Sequence, residues 1–418
     1  MKKPWSLCVA AVCLMSIAAS STIQAVAASA AGSVGHPDQV LGGNVEIQVQ
    51  PAHETGENGA DLAEEAQSAV VMDASTGTVL FEKDAHERLP MASITKIMTM
   101  LLIMEAIDNG KLKWTDPVRT SEYAASMGGS QIFLQPGEVM SAADMLKGIA
   151  MASANDACVA MAEHIAGSAD AFVAQMNARA RALGMKDTHF VNCNGLPVPD
   201  HYSSAYDIAV MSRELLKHEQ ILRFTSAYSD YLRKDTDHPF WLVNTNKLVR
   251  YYSGVDGLKT GYTQEAKYCL AATAKKDGFR IITVVMGEPK TSVRNREVTE
   301  LLNWGFANYT SKVLYRAGQT VQDIEFRHGR PESIPLVAAD TVGVVMKKGE
   351  HHRYDTEVQL KADIAPPLRK GDAVGVLRVK EDGRVVASVP LLASTDVRKT
   401  GFLTGIGRTL RDFVTLDD

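Results

Sequence analysis

The chain has 418 residues, a net charge of −5 and 45% hydrophobic residues. That length allows two or three domains with a sizeable core, and the composition is that of a globular protein rather than a disordered or fibrous one. Lys and Arg number 44 against 49 Asp and Glu, and no basic run occurs, so nothing points to a nucleic-acid partner.

The N-terminus has a different character. Lys2 and Lys3 precede an apolar run from Trp5 to Ala19, and small residues follow, including Ala25-Val26-Ala27. This reads as a secretory signal peptide over 1–27, which implies export and an extracytoplasmic location. A retained anchor is the competing reading; the small-residue tail after a short apolar run favours cleavage. Residues 28–65 are rich in Gly, Ala, Glu and Pro without periodicity, and read as a flexible linker. Of the remaining cysteines, Cys158 and Cys269 lie in apolar runs and read as core residues. With Cys193 they make no disulfide framework.

Order is expected from about residue 66. Val70–Asp73 and Thr78–Phe81 flank Ala74-Ser75-Thr76-Gly77, a hairpin with a glycine-bearing turn. A long apolar segment, Ile97 to Ile107, reads as a buried helix. Ser141 is a natural N-cap for a helix over 142–151. Further helices are expected over 156–165, 169–182 and 205–217. Apolar runs at 268–274 and 281–286 read as paired strands, and 294–309 as a closing helix. Helices clustered between strands predict an α/β (α+β) domain over 66–310, a sheet with helices packed against it. Short alternating runs at 321–326, 341–346, 355–360, 373–379 and 385–391 predict a small all-β domain over 311–393. In 394–418, Phe402, Leu403, Ile406, Leu410, Phe413 and Val414 stand at helical spacing beside Arg408 and Arg411. Such an amphipathic helix can lie on a membrane surface, or pack on its own domain.

Ser93-Ile94-Thr95-Lys96 opens the first apolar helix. Residues i and i+3 on a helix share a face, so an amine stands beside a hydroxyl at a helix N-terminus. A serine is a weak nucleophile until a base takes its proton, and a desolvated lysine can be that base. On the tetrapeptide alone, a capped helix with a surface lysine is the better reading. Two further motifs decide between these readings. Ser153-Ala154-Asn155 falls between two helical segments, and Lys259-Thr260-Gly261 precedes Tyr262-Thr263 and an apolar strand. Lys399-Thr400-Gly401 repeats the last triplet outside the first domain and reads as an accident. His351-His352 lacks a third ligand at metal-site spacing.

In order and spacing the three motifs match the set shared by penicillin-binding proteins and class A β-lactamases. In that chemistry Ser93 attacks an amide carbonyl and Lys96 is the general base, its pKa lowered by burial and a second cation. Ser153 relays a proton to the leaving amine. Asn155 hydrogen-bonds the substrate backbone and Lys96. Lys259 supplies a fixed positive charge for a substrate carboxylate, with Thr260 as an added donor. Gly261 lets the strand approach the substrate. The N–H groups of Ser93 and Tyr262 form an oxyanion hole.

The surrounding sequence resembles one family within that set, the low-molecular-mass penicillin-binding proteins that act as D-alanyl-D-alanine carboxypeptidases. The resemblance rests on Asp73–Gly77, Ala92–Thr99, Met127-Gly128-Gly129-Ser130, Gly184–Phe190, His201–Asp207 and Asp256–Thr263. Lys267 departs from it, standing where the family usually has Gly. The resemblance implies removal of the terminal D-alanine from peptidoglycan pentapeptide stems, acylation of Ser93 by β-lactam antibiotics, and no metal or organic cofactor. A β-lactamase is the first rival. Class A enzymes activate the deacylating water with a glutamate beyond the S-x-N motif, and the stretch between Glu163 and Glu214 contains none. A non-enzymatic wall-binding protein is the second rival; every catalytic position is filled, which disfavours it.

Overall fold

The computed structural model describes residues 62–399 except 327 and 351. The expected signal peptide and the 402–414 helix lie outside the described residues, as does nearly all of the expected linker.

The first domain is built on one antiparallel sheet. Its strands are β1 (Ser68–Asp73), β2 (Val79–Lys83), β3 (Val255–Thr263), β4 (Lys267–Lys276) and β5 (Phe279–Glu288), in the order β2-β1-β5-β4-β3. The two ends of the sequence segment thus meet at the centre, where β1 pairs β5 from Ser68↔Met286 to Asp73↔Ile281. Side chains alternate between the two faces of a strand. Val70 and Met72 face one core, with Ile282 and Val284; Ala69 and Val71 face another, with Ile281 and Val285. Both faces are covered, which is why these strands read as unbroken apolar runs.

The larger core holds α1 (Lys96–Asp108), α2 (Ala142–Lys147), α3 (Asn155–Ala166), α4 (Ala169–Ala182) and α5 (Ala205–Leu216). Helix α1 is buried on every side from Lys96 to Met104. A helix that is apolar all round can only be central. On the opposite face of the sheet lies α6 (Thr291–Asn308), through Val298, Leu301 and Leu302. The closing helix therefore begins three residues earlier than expected, and Tyr309 opens the next strand instead.

Ser141 caps α2 as expected, its Oγ accepting from the Asp144 N–H at 3.1 Å. The helix does not run to Met151. At Gly148 it loosens into a π-turn, Gly148–Ala152, and Ser153 follows with φ +63°. The wider turn ends the α-helical register and re-aims Ser153 and Asn155.

The second domain is all β. A pair, β6 (Tyr309–Tyr315) with β9 (Val342–Lys347), stands beside a five-stranded antiparallel sheet. That sheet contains β7 (Thr320–Glu325), β8 (Ser333–Ala338), β10 (Tyr354–Leu360), β11 (Ala373–Glu381) and β12 (Arg384–Ala393), in the order β7-β8-β12-β11-β10. Its own core includes Ile334, Leu336, Leu377, Val379 and Leu391. Among the described residues no helix is long and apolar enough to cross a membrane.

Candidate active site

Ser93 sits in a 3₁₀ turn, Ala92–Thr95, that feeds directly into α1 at Lys96. The serine is therefore ahead of the α-helix rather than on it. A 3₁₀ turn has three residues per turn, so positions i and i+3 eclipse. Lys96 Nζ lies 3.0 Å from Ser93 Oγ. The amine is fully buried and makes two further contacts, donating to Asn155 Oδ1 at 2.6 Å and to the Asn194 carbonyl at 2.5 Å.

These three oxygens suit either form of the amine. An uncharged lysine has two N–H donors and one lone pair, whereas an ammonium has three donors and no acceptor. As an ammonium Lys96 donates to all three; as a neutral amine it gives its two N–H groups to the carbonyl-type oxygens and turns its lone pair to the Ser93 hydroxyl. Burial lowers the Lys96 pKa, because the charged form loses its hydration. The neighbouring thiols oppose this little. Burial pushes Cys158 up to about 11 and Cys193 higher still, so both are neutral near pH 7. Both are free and buried, as is Cys269.

Asn155 is fixed from several sides. Its N–H donates to Ser130 O at 2.7 Å, and its Nδ2 donates to Gly128 O at 2.7 Å. That leaves Oδ1 for Lys96 and sets the orientation of the amide. A side chain on Gly129, at φ +78°, would stand 2.8 Å from Asn155 Nδ2. The next residue, Asp156, is buried and accepts from the N–H groups of Ile132 (3.1 Å), Leu134 (3.0 Å) and Ala157 (2.9 Å). The 128–134 loop is thus moored to the start of α3. Ser153 is 4% exposed, and its Oγ has no hydrogen-bond partner among the described residues. A buried hydroxyl without a partner is costly unless something binds there, at about 1–3 kcal/mol.

Lys259, Thr260, Gly261 and Tyr262 lie on β3, the edge strand of the sheet. Lys259 is buried, and its Nζ donates to Thr260 O at 2.8 Å; Thr260 Oγ1 donates to Thr245 Oγ1 at 2.8 Å. Burial first, and then the nearby Lys96 and Arg294, hold Lys259 well below the usual lysine range. An anion beside a buried amine favours its charged form, so a bound carboxylate would oppose this shift. Gly261 also serves the packing around Ser93. A Cβ there would stand 2.9 Å from Met91 O and 3.1 Å from Ile94 Cγ1, so the glycine admits the Ser93 turn against the strand. Tyr262 is exposed and lies 4.3 Å, ring centre to ring centre, from Tyr268. Lys267 closes the β3–β4 hairpin at φ +54°, a conformation glycine adopts without strain.

Two parts of the site carried no sequence signal of their own. One is the Asn192–Gly195 loop, which supplies the Asn194 carbonyl. Gly195 N–H donates to Asn192 Oδ1 at 2.7 Å, and a Cβ at Gly195, φ +86°, would fall 2.0 Å from Ala92 O. The other is His201. Val191 N–H donates to its Nδ1 at 3.0 Å, so Nε2 carries the proton and donates to Thr95 Oγ1 at 2.7 Å. Thr95 Oγ1 in turn donates to Ala92 O at 2.8 Å. Burial pushes His201 down to about 4, which keeps this tautomer neutral. Both features hold the turn that carries Ser93. Among the described residues no group of three or more His, Cys, Asp or Glu side chains could hold a metal ion.

A nucleophile turn, a buried amine, an S-x-N loop and a K-T-G edge strand at one end of a sheet define an acylating serine site of the penicillin-binding type. Comparison with known proteins agrees. The family model described as D-alanyl-D-alanine carboxypeptidase matches residues 54–290, and the one described as penicillin-binding protein 5, C-terminal domain, matches 309–399. The chain is 52% identical over 363 residues to D-alanyl-D-alanine carboxypeptidase DacF of Bacillus subtilis, covering 87% of this chain and 93% of that one. Among solved structures, penicillin binding protein 5 from Haemophilus influenzae matches with a TM-score of 0.66 and 32% identity, over 82% of this chain and 100% of that one. Penicillin-Binding Protein D2 from Listeria monocytogenes, in an ampicillin-bound form, matches with a TM-score of 0.53 and 32% identity, over 58% of this chain and 98% of that one. The chain belongs to the D-alanyl-D-alanine carboxypeptidase family of low-molecular-mass penicillin-binding proteins.

Proposed function

We propose that this chain removes the terminal D-alanine from peptidoglycan pentapeptide stems, through an acyl-enzyme on Ser93. The observation that carries the reading is the buried Lys96 amine, 3.0 Å from Ser93 Oγ and held there by Asn155 Oδ1 and the Asn194 carbonyl. The lone pair accepts the Ser93 proton as Oγ attacks the D-alanyl carbonyl. The N–H groups of Ser93 and Tyr262 stabilise the oxyanion. Lys96, now an ammonium, returns the proton to the leaving D-alanine amine through Ser153, whose hydroxyl is otherwise unpartnered. Asn155 holds the substrate backbone. The terminal carboxylate lies at Lys259 and Thr260, and its arrival favours the charged form of Lys259. Water then hydrolyses the ester. β-Lactams enter the same path because their strained amide mimics the D-Ala-D-Ala bond. The N-terminal pattern at 1–27, read as a signal peptide, supports a location outside the cytoplasmic membrane.

The β-lactamase rival finds no support here. Glu214, the nearest glutamate after the gap that begins at Glu163, is engaged with Arg179 at 2.7 Å and Lys217 at 3.0 Å. The test is D-alanine release from diacetyl-Lys-D-Ala-D-Ala by purified protein. Wild type is expected to release D-alanine, and Ser93→Ala to reduce release by at least about a thousandfold, as loss of a nucleophile does. No release by wild type, or equal release by the variant, ends the proposal.

A further inference from the structure

Between the sheet and α6 lie two carboxyl groups that the chemistry at Ser93 does not use. Glu288 ends β5, Glu297 stands on α6, and both are buried. Neither Glu288 oxygen receives an N–H or O–H from a described residue. Its hydrogen-bond partner is the Glu297 carboxyl. An ionised carboxylate only accepts, so two carboxyl groups hydrogen-bond when one of them keeps a proton. Repulsion between adjacent carboxylates favours the same arrangement.

The proton belongs on Glu288. Glu297 Oε1 accepts the Glu65 N–H at 3.0 Å, Oε2 accepts the Ala66 N–H at 3.3 Å, and Arg296 Nη2 lies 3.5 Å from Oε1. Those donors favour a charged Glu297. Burial, and then Glu297 itself, push Glu288 up to about 9. The other groups around the pair leave this in place. Arg294, on α6, gives its Nη2 to Asn295 Oδ1 at 2.9 Å. Arg296 is shared with Glu65 at 2.9 Å and Glu300 at 3.6 Å. On β4, Tyr268 stands opposite Glu288 in register, and the Cys269 thiol is pushed up to about 11 by burial.

The N–H groups that Glu297 holds belong to the segment just before β1. Lys83, on β2, holds the same segment by donating to Ala63 O at 2.7 Å and Glu64 O at 2.9 Å. Ala63 and Ala66 are buried in the core beneath α6, and Gln67 N–H donates to Met286 O at 2.9 Å.

We propose that Glu288 and Glu297 form a proton-sharing clasp that straps residues 62–67 to α6, firm while Glu288 holds its proton and loosened when that proton passes to solvent. The second negative charge then repels Glu297 and needs water, and water reaches it when the segment lifts. The clasp stands apart from the reaction at Ser93.

Hydrogen exchange of the peptide spanning 62–72, corrected for intrinsic rates, reads the strap in the full chain. With the strap closed, Glu288 titrates near 9; with it open, Glu288 titrates in the ordinary glutamate range. Protection is therefore greatest below that range and is lost as pH rises towards 9. One linked proton makes it fall by up to about tenfold per pH unit, and the fall levels off above 9. In Glu288→Gln the side-chain amide donates to Glu297 at every pH, and this slope disappears. Infrared difference spectra give a second reading on wild type alone. A carboxylic-acid carbonyl band present near neutral pH should vanish at alkaline pH. Wild-type protection that does not change with pH, an equal slope in Glu288→Gln, or no such band near neutral pH overturns the clasp.

Discussion

Lys96→Met should abolish acylation of Ser93 while leaving a folded protein. Methionine has nearly the length of lysine and suits a fully buried site on α1. What it lacks is the lone pair beside Ser93 Oγ. Loss of a positioned general base is worth about 10²–10⁴ in rate. Stopped-flow acylation by a chromogenic penicillin or cephalosporin measures this directly. The same assay gives the pH dependence. Only the neutral amine can accept a proton, and burial lowers the Lys96 pKa. Acylation by wild type should therefore rise with pH through an apparent pKa below that of free lysine, and flatten above it. A Lys96→Met protein that acylates at the wild-type rate would remove Lys96 from the mechanism. A profile rising only at the free-lysine pKa would contradict the buried neutral amine.

Gly195→Ala should be nearly as damaging, although glycine has no chemistry to lose. The new methyl would be placed 2.0 Å from Ala92 O, and φ is +86°. One of two segments must then move: the turn that carries Ser93, or the loop that presents Asn194 O to Lys96. A displacement of about 1 Å at a reacting group can reduce rate by about a hundredfold. D-Alanine release should fall by that factor or more, with a lower urea midpoint. Gly110→Ala is the control, since it too has positive φ but open space around its Cβ. Equal activity in the two variants would mean that the 192–195 loop does not position the nucleophile.

These two expectations mark where the sequence is informative and where it is silent. Ser93, Lys96, Ser153, Asn155 and the Lys259–Tyr262 stretch announce themselves because their chemistry resides in side chains at recognisable spacing. The second acceptor for Lys96 is a main-chain carbonyl, and any residue could supply it. Gly195 is one of 31 glycines. Its importance appears only when Ala92 is seen against it. Gly261 was legible as a residue, but its packing against the Ser93 turn was not, because that turn comes from far upstream in the chain. His201 fell in a stretch noted only for resemblance; its link to Thr95 needed the fold.

The fold itself was legible where burial is two-sided or periodic. The boundaries of α1, α4 and α5 follow from apolar pattern and from Ser168 and Ser204, whose hydroxyls accept from Ala171 and Asp207 N–H at 3.1 and 3.2 Å. The break at Gly148 was not legible. Residues 142–151 hold good helix formers on both sides of Gly148, and one interior glycine disfavours a helix by only about 1 kcal/mol, so the need to turn Ser153 into the site decides the break. That is tertiary structure overriding local preference. The same holds for Lys267, whose positive φ serves the hairpin that presents Tyr262.

The central claim is that Ser93 becomes covalently acylated and that the adduct is not rapidly cleared. Intact-protein mass spectrometry after mixing with benzylpenicillin tests it most directly, with peptide mapping to locate the adduct. The account predicts one penicilloyl group per chain, carried by the peptide containing Ser93, absent from Ser93→Ala and persisting while free penicillin remains. An adduct on another residue would contradict it. So would rapid multiple turnover of the antibiotic with no adduct detected.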